Sequence, residues 1–144
     1  MVDDLEPWPE PVDGAEVLYS MEATFRGYAS MPEGGPELLT LWTMFTWCIH
    51  GCDIAPRLFL TSPMRRCGKT TVLNILAALV HRPEANVNVS AASLYTAIHQ
   101  DHSTLILDEA DQWVTKRGPI MGVLNSGHSR SHRLCAARDR RYAC

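Results

Sequence analysis

Apolar positions along the chain follow two rhythms. Val17, Met21 and Phe25 recur at four-residue spacing and predict a helix over 17–29. After the loop Met31-Pro32-Glu33-Gly34-Gly35-Pro36, the residues Leu38, Leu41, Trp42, Phe45 and Ile49 fall on one helical face. They predict a second helix over 37–50, stopped by Gly51. Residues 69–80 repeat the rhythm with Val72, Ile75, Leu76 and Leu79, and Pro83 lies just beyond their end. Ser90 caps a further helix whose face is Ala91, Leu94, Tyr95 and Ile98. The second rhythm is the short unbroken run. Residues 57–61, 86–89 and 104–107 are such runs and predict buried strands. A helical pattern returns over 110–116, breaks at Gly118-Pro119, and resumes over 120–126 with Gly127 as its cap. The order helix, β, α, β, α, β, α predicts a parallel sheet covered by helices.

Composition divides this pattern into regions. Residues 1–16 are acidic and carry Pro7, Pro9 and Pro11, which predicts a flexible leader. A helical segment over 17–55 and an α/β core over 56–144 follow. The 144 residues suffice for one domain with a buried core, and 46% hydrophobic with 20% charged residues excludes wholesale disorder. The net charge of −3 conceals a gradient: residues 1–37 hold nine acids against one base, and residues 112–144 hold seven bases against one acid. The basic end keeps nucleic acid open as a partner. No apolar run is long enough to span a membrane, and the acidic start is not a signal peptide. The five cysteines are odd in number and lack C-x-x-C spacing, which predicts reduced thiols and a cytoplasmic protein. Cys48-x-His50-x-Cys52 and His128-x-x-x-His132 are conceivable metal ligands, but they do not assemble into two well-spaced zinc pairs, and scattered structural residues are the preferred reading.

The chemistry is carried by Ser62-Pro63-Met64-Arg65-Arg66-Cys67-Gly68-Lys69-Thr70-Thr71, between the first strand and its helix. It resembles the phosphate-binding loop G-x-x-x-x-G-K-[ST]. Residues Pro63, Met64, Arg65, Arg66, Cys67, Gly68, Lys69, Thr70 and Thr71 form the nucleotide-binding candidate. Gly68 lets the backbone approach phosphate, Lys69 reaches the β- and γ-phosphates, and the Thr70 hydroxyl ligates Mg²⁺. Pro63 occupies the first glycine position, so the loop must begin differently from the usual motif. Downstream, Leu105-Ile106-Leu107-Asp108-Glu109 is an apolar strand ending in two acids, the Walker B pattern. Asp108 completes the Mg²⁺ site and Glu109 polarises the attacking water, at the sheet edge where ligands bind in such folds. Glu109 favours ATP hydrolysis over phosphate transfer to a small molecule. Asp111 reads as a first-turn acid rather than as part of a helicase signature.

These residues resemble domain-of-unknown-function family 3631, found in phage and mobile-element proteins beside primase or helicase modules. The resemblance covers roughly residues 17–130. It rests on Leu41-Trp42, His50, Pro56-Arg57-Leu58, the loop from Ser62-Pro63 to Thr71, Ser90, Leu94, Leu107-Asp108-Glu109-Ala110-Asp111 and Leu124-Asn125-Ser126-Gly127-His128. In that family Ser-Pro at the loop start is usual. The resemblance implies a three-layer P-loop NTPase fold with a parallel sheet, preceded by an N-terminal helical segment. It implies ATP as substrate, Mg²⁺ as cofactor, and a helicase-like role in DNA replication or mobility. DNA would be met through a larger protein or complex, with the intact protein an oligomer. Asn125 and His128 are candidate γ-phosphate sensors, and Asn125 reads also as a polar residue near a helix end. Arg130 and Arg133 read as solvated basic residues, with an arginine finger as the alternative.

In the hydrolytic branch of phosphate-loop proteins, which Glu109 makes this chain resemble, the sheet order is 5-1-4-3-2, so a strand after Walker B separates the two catalytic strands. Only residues 133–137 offer it, and arginines flank them. The sheet is therefore expected to be incomplete, and the chain the N-terminal part of an interrupted ATPase. A nucleotide-binding module without turnover, acting as an interaction or regulatory piece, is the alternative function. A small-molecule kinase is disfavoured by Glu109.

Overall fold

The computed structural model describes residues 6, 8–61, 67–85 and 103–108. Helix α1 spans Gly14–Tyr28, three residues ahead of the predicted start at Val17. The cause is Asp13, whose carboxylate accepts the Ala15 N–H at 2.9 Å and caps the helix, so 14–16 leave the predicted leader. Glu16 in the first turn and Arg26 in the last suit the helix dipole. The four-residue spacing holds: Val17 and Met21 are half-buried and Phe25 is fully buried.

Helix α2 spans Gly35–Cys48 and continues as a short 3-10 turn over Ile49–Gly51. It starts two residues before the predicted Glu37. Gly34 takes a left-handed φ of 80°, which turns the chain, and Pro36 fits the first turn, where a missing N–H costs nothing. The predicted face of α2 is corrected. Leu38 and Leu41 are 58% and 61% exposed, while Leu39, Thr40, Thr43 and Thr46 are buried. The buried stripe is rotated by one residue, about 100° of helix. Thr43 and Thr46 can occupy it because their hydroxyls bond the helix itself. Thr43 Oγ1 donates to Leu39 O at 2.8 Å and Thr46 Oγ1 to Thr43 O at 2.7 Å. Arg26 ties α1 to α2, donating to Glu22 at 2.8 Å and to Glu37. The Glu22 hydrogen bond leads in raising the Arg26 pKa. Arg26 loses its charge only in strong alkali, so this exposed link adds no pH dependence near neutrality.

The predicted strand over 57–61 carries no ladder among the described residues. Leu58 and Leu60 pack against the core, and Phe59 between them is 68% exposed. One side of this segment is covered, not both, which corrects the expectation of a fully buried strand. A ladder depends on a partner's N–H and C=O groups, which the apolar run itself does not specify.

Helix α3 spans Lys69–Leu79, as the spacing predicts, with Val72 and Leu76 buried. At Arg82, in the left-handed region with φ of 46°, the chain turns into β1, Pro83–Glu84. This strand pairs in parallel with β2, Thr104–Leu105, in register Pro83↔Thr104 and Glu84↔Leu105. The bonds run from Thr104 N to Arg82 O at 2.9 Å and from Ile106 N to Glu84 O at 3.0 Å. The donors sit on β2, so the absent N–H of Pro83 is no obstacle at a strand start. The strand expected at 86–89 lies outside the described residues, as do the helix after Ser90 and everything from Glu109 onward.

One cluster joins these elements. Phe25, Leu39, Val72, Leu76, Val80 and Ile106 are its buried members. The N-terminal helices thus share a core with α3 and β2. The described part is a mixed α/β arrangement with a two-stranded parallel sheet.

Candidate functional site

Helix α3 begins in an unusual way. Its N-cap, Gly68, has φ of 89° and ψ of 7°, and the helix has no side-chain cap and no acid in its first turn. Among the described residues a Cβ at Gly68 would meet nothing within 4 Å, and the left-handed backbone is what calls for glycine here. Gly68→Ala is expected to lower the stability of the chain by about 1–2 kcal/mol through left-handed strain, read from urea unfolding. An unchanged midpoint would contradict this conformation.

The first helical residue is Lys69, half-buried, followed by exposed Thr70 and Thr71. A cation at this end opposes the helix dipole, which favours negative charge there. Local preference is therefore broken at the position where the motif needs a lysine, as functional sites often require. The arrangement offers a left-handed glycine, a lysine and two hydroxyls at a helix N-terminus, a donor set suited to an anion.

At the other end of α3 the chain is held by α2. Trp47 Nε1 donates to Leu79 O at 2.9 Å, and His81 N donates to Thr46 Oγ1 at 3.0 Å. Thr104 Oγ1 donates to His81 O at 2.6 Å, and the Trp47 and His81 rings meet edge-on at 5.0 Å between centroids. Strand β2 therefore starts beside the C-terminal end of α3. Its next residues run with β1, and Ile106 joins Val72 and Leu76 in the core. Asp108 is exposed and follows Ile106 by two residues.

Of the predicted site, Cys67, Gly68, Lys69, Thr70, Thr71 and Asp108 are among the described residues. Pro63, Met64, Arg65, Arg66, Glu109, Asn125 and His128 lie outside them. Among the described residues no group of three or more His, Cys, Asp or Glu side chains gathers to hold a metal ion. Among them too, no helix is long and apolar enough to cross a membrane. The junction of Thr46, Trp47, His81 and Thr104 was not foreseen from sequence; threonines at 40, 43 and 46 in helical register ahead of Trp47 were its one available sign. No protein-family model matches the chain, and no curated protein or solved structure matches it.

Proposed function

We propose that the chain is the ATP-binding module of a hydrolytic, Mg²⁺-dependent P-loop ATPase. The observation that carries this is Gly68, left-handed at the start of α3, directly followed by Lys69-Thr70-Thr71. Support comes also from Asp108, which follows a strand of a parallel pair packed against the same helix. The chemistry follows from those residues. Amides at the start of α3 donate to phosphate oxygens, and the Lys69 ammonium neutralises charge on the β- and γ-phosphates. The exposed Thr70 hydroxyl suits a hydrated phosphate-bound cation. Thr70 and Asp108 would hold Mg²⁺, which offsets phosphate charge when bound. Glu109 orients and polarises the attacking water, a role for a carboxylate beside the γ-phosphate. Asn125 and His128 remain the proposed sensors.

The link to DNA replication or mobility of a phage or mobile element rests on the resemblance to domain-of-unknown-function family 3631. DNA would then be a partner reached through a larger complex. The test is phosphate release from Mg-ATP. Glu109→Gln is expected to lower turnover about 100-fold while nucleotide affinity is kept. Equal turnover in both proteins would remove Glu109 from the mechanism. Nucleotide binding without turnover in the unsubstituted chain would replace the ATPase by a binding module.

A further inference from the structure

The end of α3 remote from the phosphate loop is fixed with more care than a helix end requires. Its last carbonyls need donors, and water supplies these at most helix ends. Here Leu79 O takes the Trp47 indole N–H, His81 N is bound by the Thr46 hydroxyl, and His81 O takes the Thr104 hydroxyl. Thr46 is itself buried and donates to Thr43 O, so its oxygen is oriented within α2 and not by solvent. The junction also stands where Arg82 is held at φ of 46°, between α3 and β1. Four elements thus meet at one point: α2, α3, β1 and β2.

We propose that Thr46 and Trp47 are positioning residues for Gly68 and Lys69, acting through α3. The inference rests on the nucleotide-binding assignment of Gly68 and Lys69 and adds what sets their pose. An α-helix of 11 residues is a stiff rod of about 16 Å. Val72 and Leu76 fix it sideways against the core, and the α2 junction fixes its far end along its axis. Close-packed interiors do not absorb such a shift locally, so releasing the junction lets the rod, and with it Gly68 and Lys69, settle differently. Supporting contacts of this kind hold a site within the tolerance its chemistry needs. The N-terminal helical segment is thereby part of the nucleotide site's support and not an appendage.

The test compares the full-length chain with Thr46→Val, Thr46→Ser and Trp47→Phe, at a temperature where all four are folded. Two readouts are taken: the Kd for Mg-ATP, and the rate of iodoacetamide alkylation at the exposed Cys67, located by peptide mass mapping. Thr46→Val and Trp47→Phe are expected to weaken Mg-ATP about fivefold or more and to change Cys67 alkylation by a similar factor, with Thr46→Ser restoring both. A lower melting temperature with unchanged Kd and unchanged alkylation would reduce the junction to a structural role and overturn the proposal. If Thr46→Val does not fold, Trp47→Phe carries the same decision, because it removes the indole donor while leaving an aromatic ring beside His81. If the unsubstituted chain does not bind Mg-ATP, the nucleotide assignment fails. The Cys67 rate still decides whether the junction governs the loop.

Discussion

Lys69→Ala is expected to weaken Mg-ATP binding by about 10- to 100-fold, the cost of losing a charge-assisted contact to phosphate. The same substitution is expected to leave the unfolding midpoint unchanged or slightly raised. The two effects have opposite signs for a stated reason. Lys69 is the first residue of α3, where a positive charge opposes the helix dipole, and alanine is the better helix former. A residue that costs stability and provides binding is the signature of a site. Titration calorimetry and thermal melting on the same samples separate the two. Unchanged nucleotide affinity would remove the phosphate-loop assignment. A lowered midpoint would mean that Lys69 serves the fold.

Phe25→Ala is expected to destabilise the chain by about 3–5 kcal/mol, within reach of the whole stability of a small domain. Phe25 is 0% exposed and belongs to the cluster that, among the described residues, joins α1 and α2 to α3 and the end of β2. Its removal opens a cavity between the N-terminal helices and the helix that carries Lys69. Urea unfolding measures the loss, and a change below about 1 kcal/mol would show that α1 does not share the core. Because the cluster is continuous, loss of nucleotide affinity in this variant is expected to follow its folded fraction. In that respect it differs from the Thr46 and Trp47 variants, which act while folded.

The parts of the fold legible in the sequence are those whose cause is local. Val17, Met21 and Phe25 fixed the inward face of α1, and Val72 and Leu76 that of α3, because apolar side chains at helical spacing have one way to be buried together. The face of α2 was misread by one position for an equally physical reason. Threonine counts as polar by composition, yet Thr43 and Thr46 satisfy their hydroxyls on the helix's own carbonyls and enter the core. Strand β1 was missed because Pro83 reads as a helix terminator, and only the N–H groups of β2 make it a strand. At the candidate site, Gly68 and Lys69 were legible as a motif, and the left-handed φ of Gly68 is the conformation a loop glycine there would serve. The junction behind them was not legible. His81 lies 35 residues from Thr46 and 23 from Thr104, and separation of that kind leaves no local pattern.

The central claim is that the start of α3 holds the phosphates of ATP. Hydrogen exchange of the full-length chain, with and without saturating Mg-ATP, tests it without any substitution. Amides of residues 68–71 are expected to exchange more slowly with Mg-ATP, by about tenfold or more, because phosphate oxygens would accept their N–H groups. The amides of α1 should change far less. Exchange at residues 68–71 that stays the same under saturating Mg-ATP would contradict the claim.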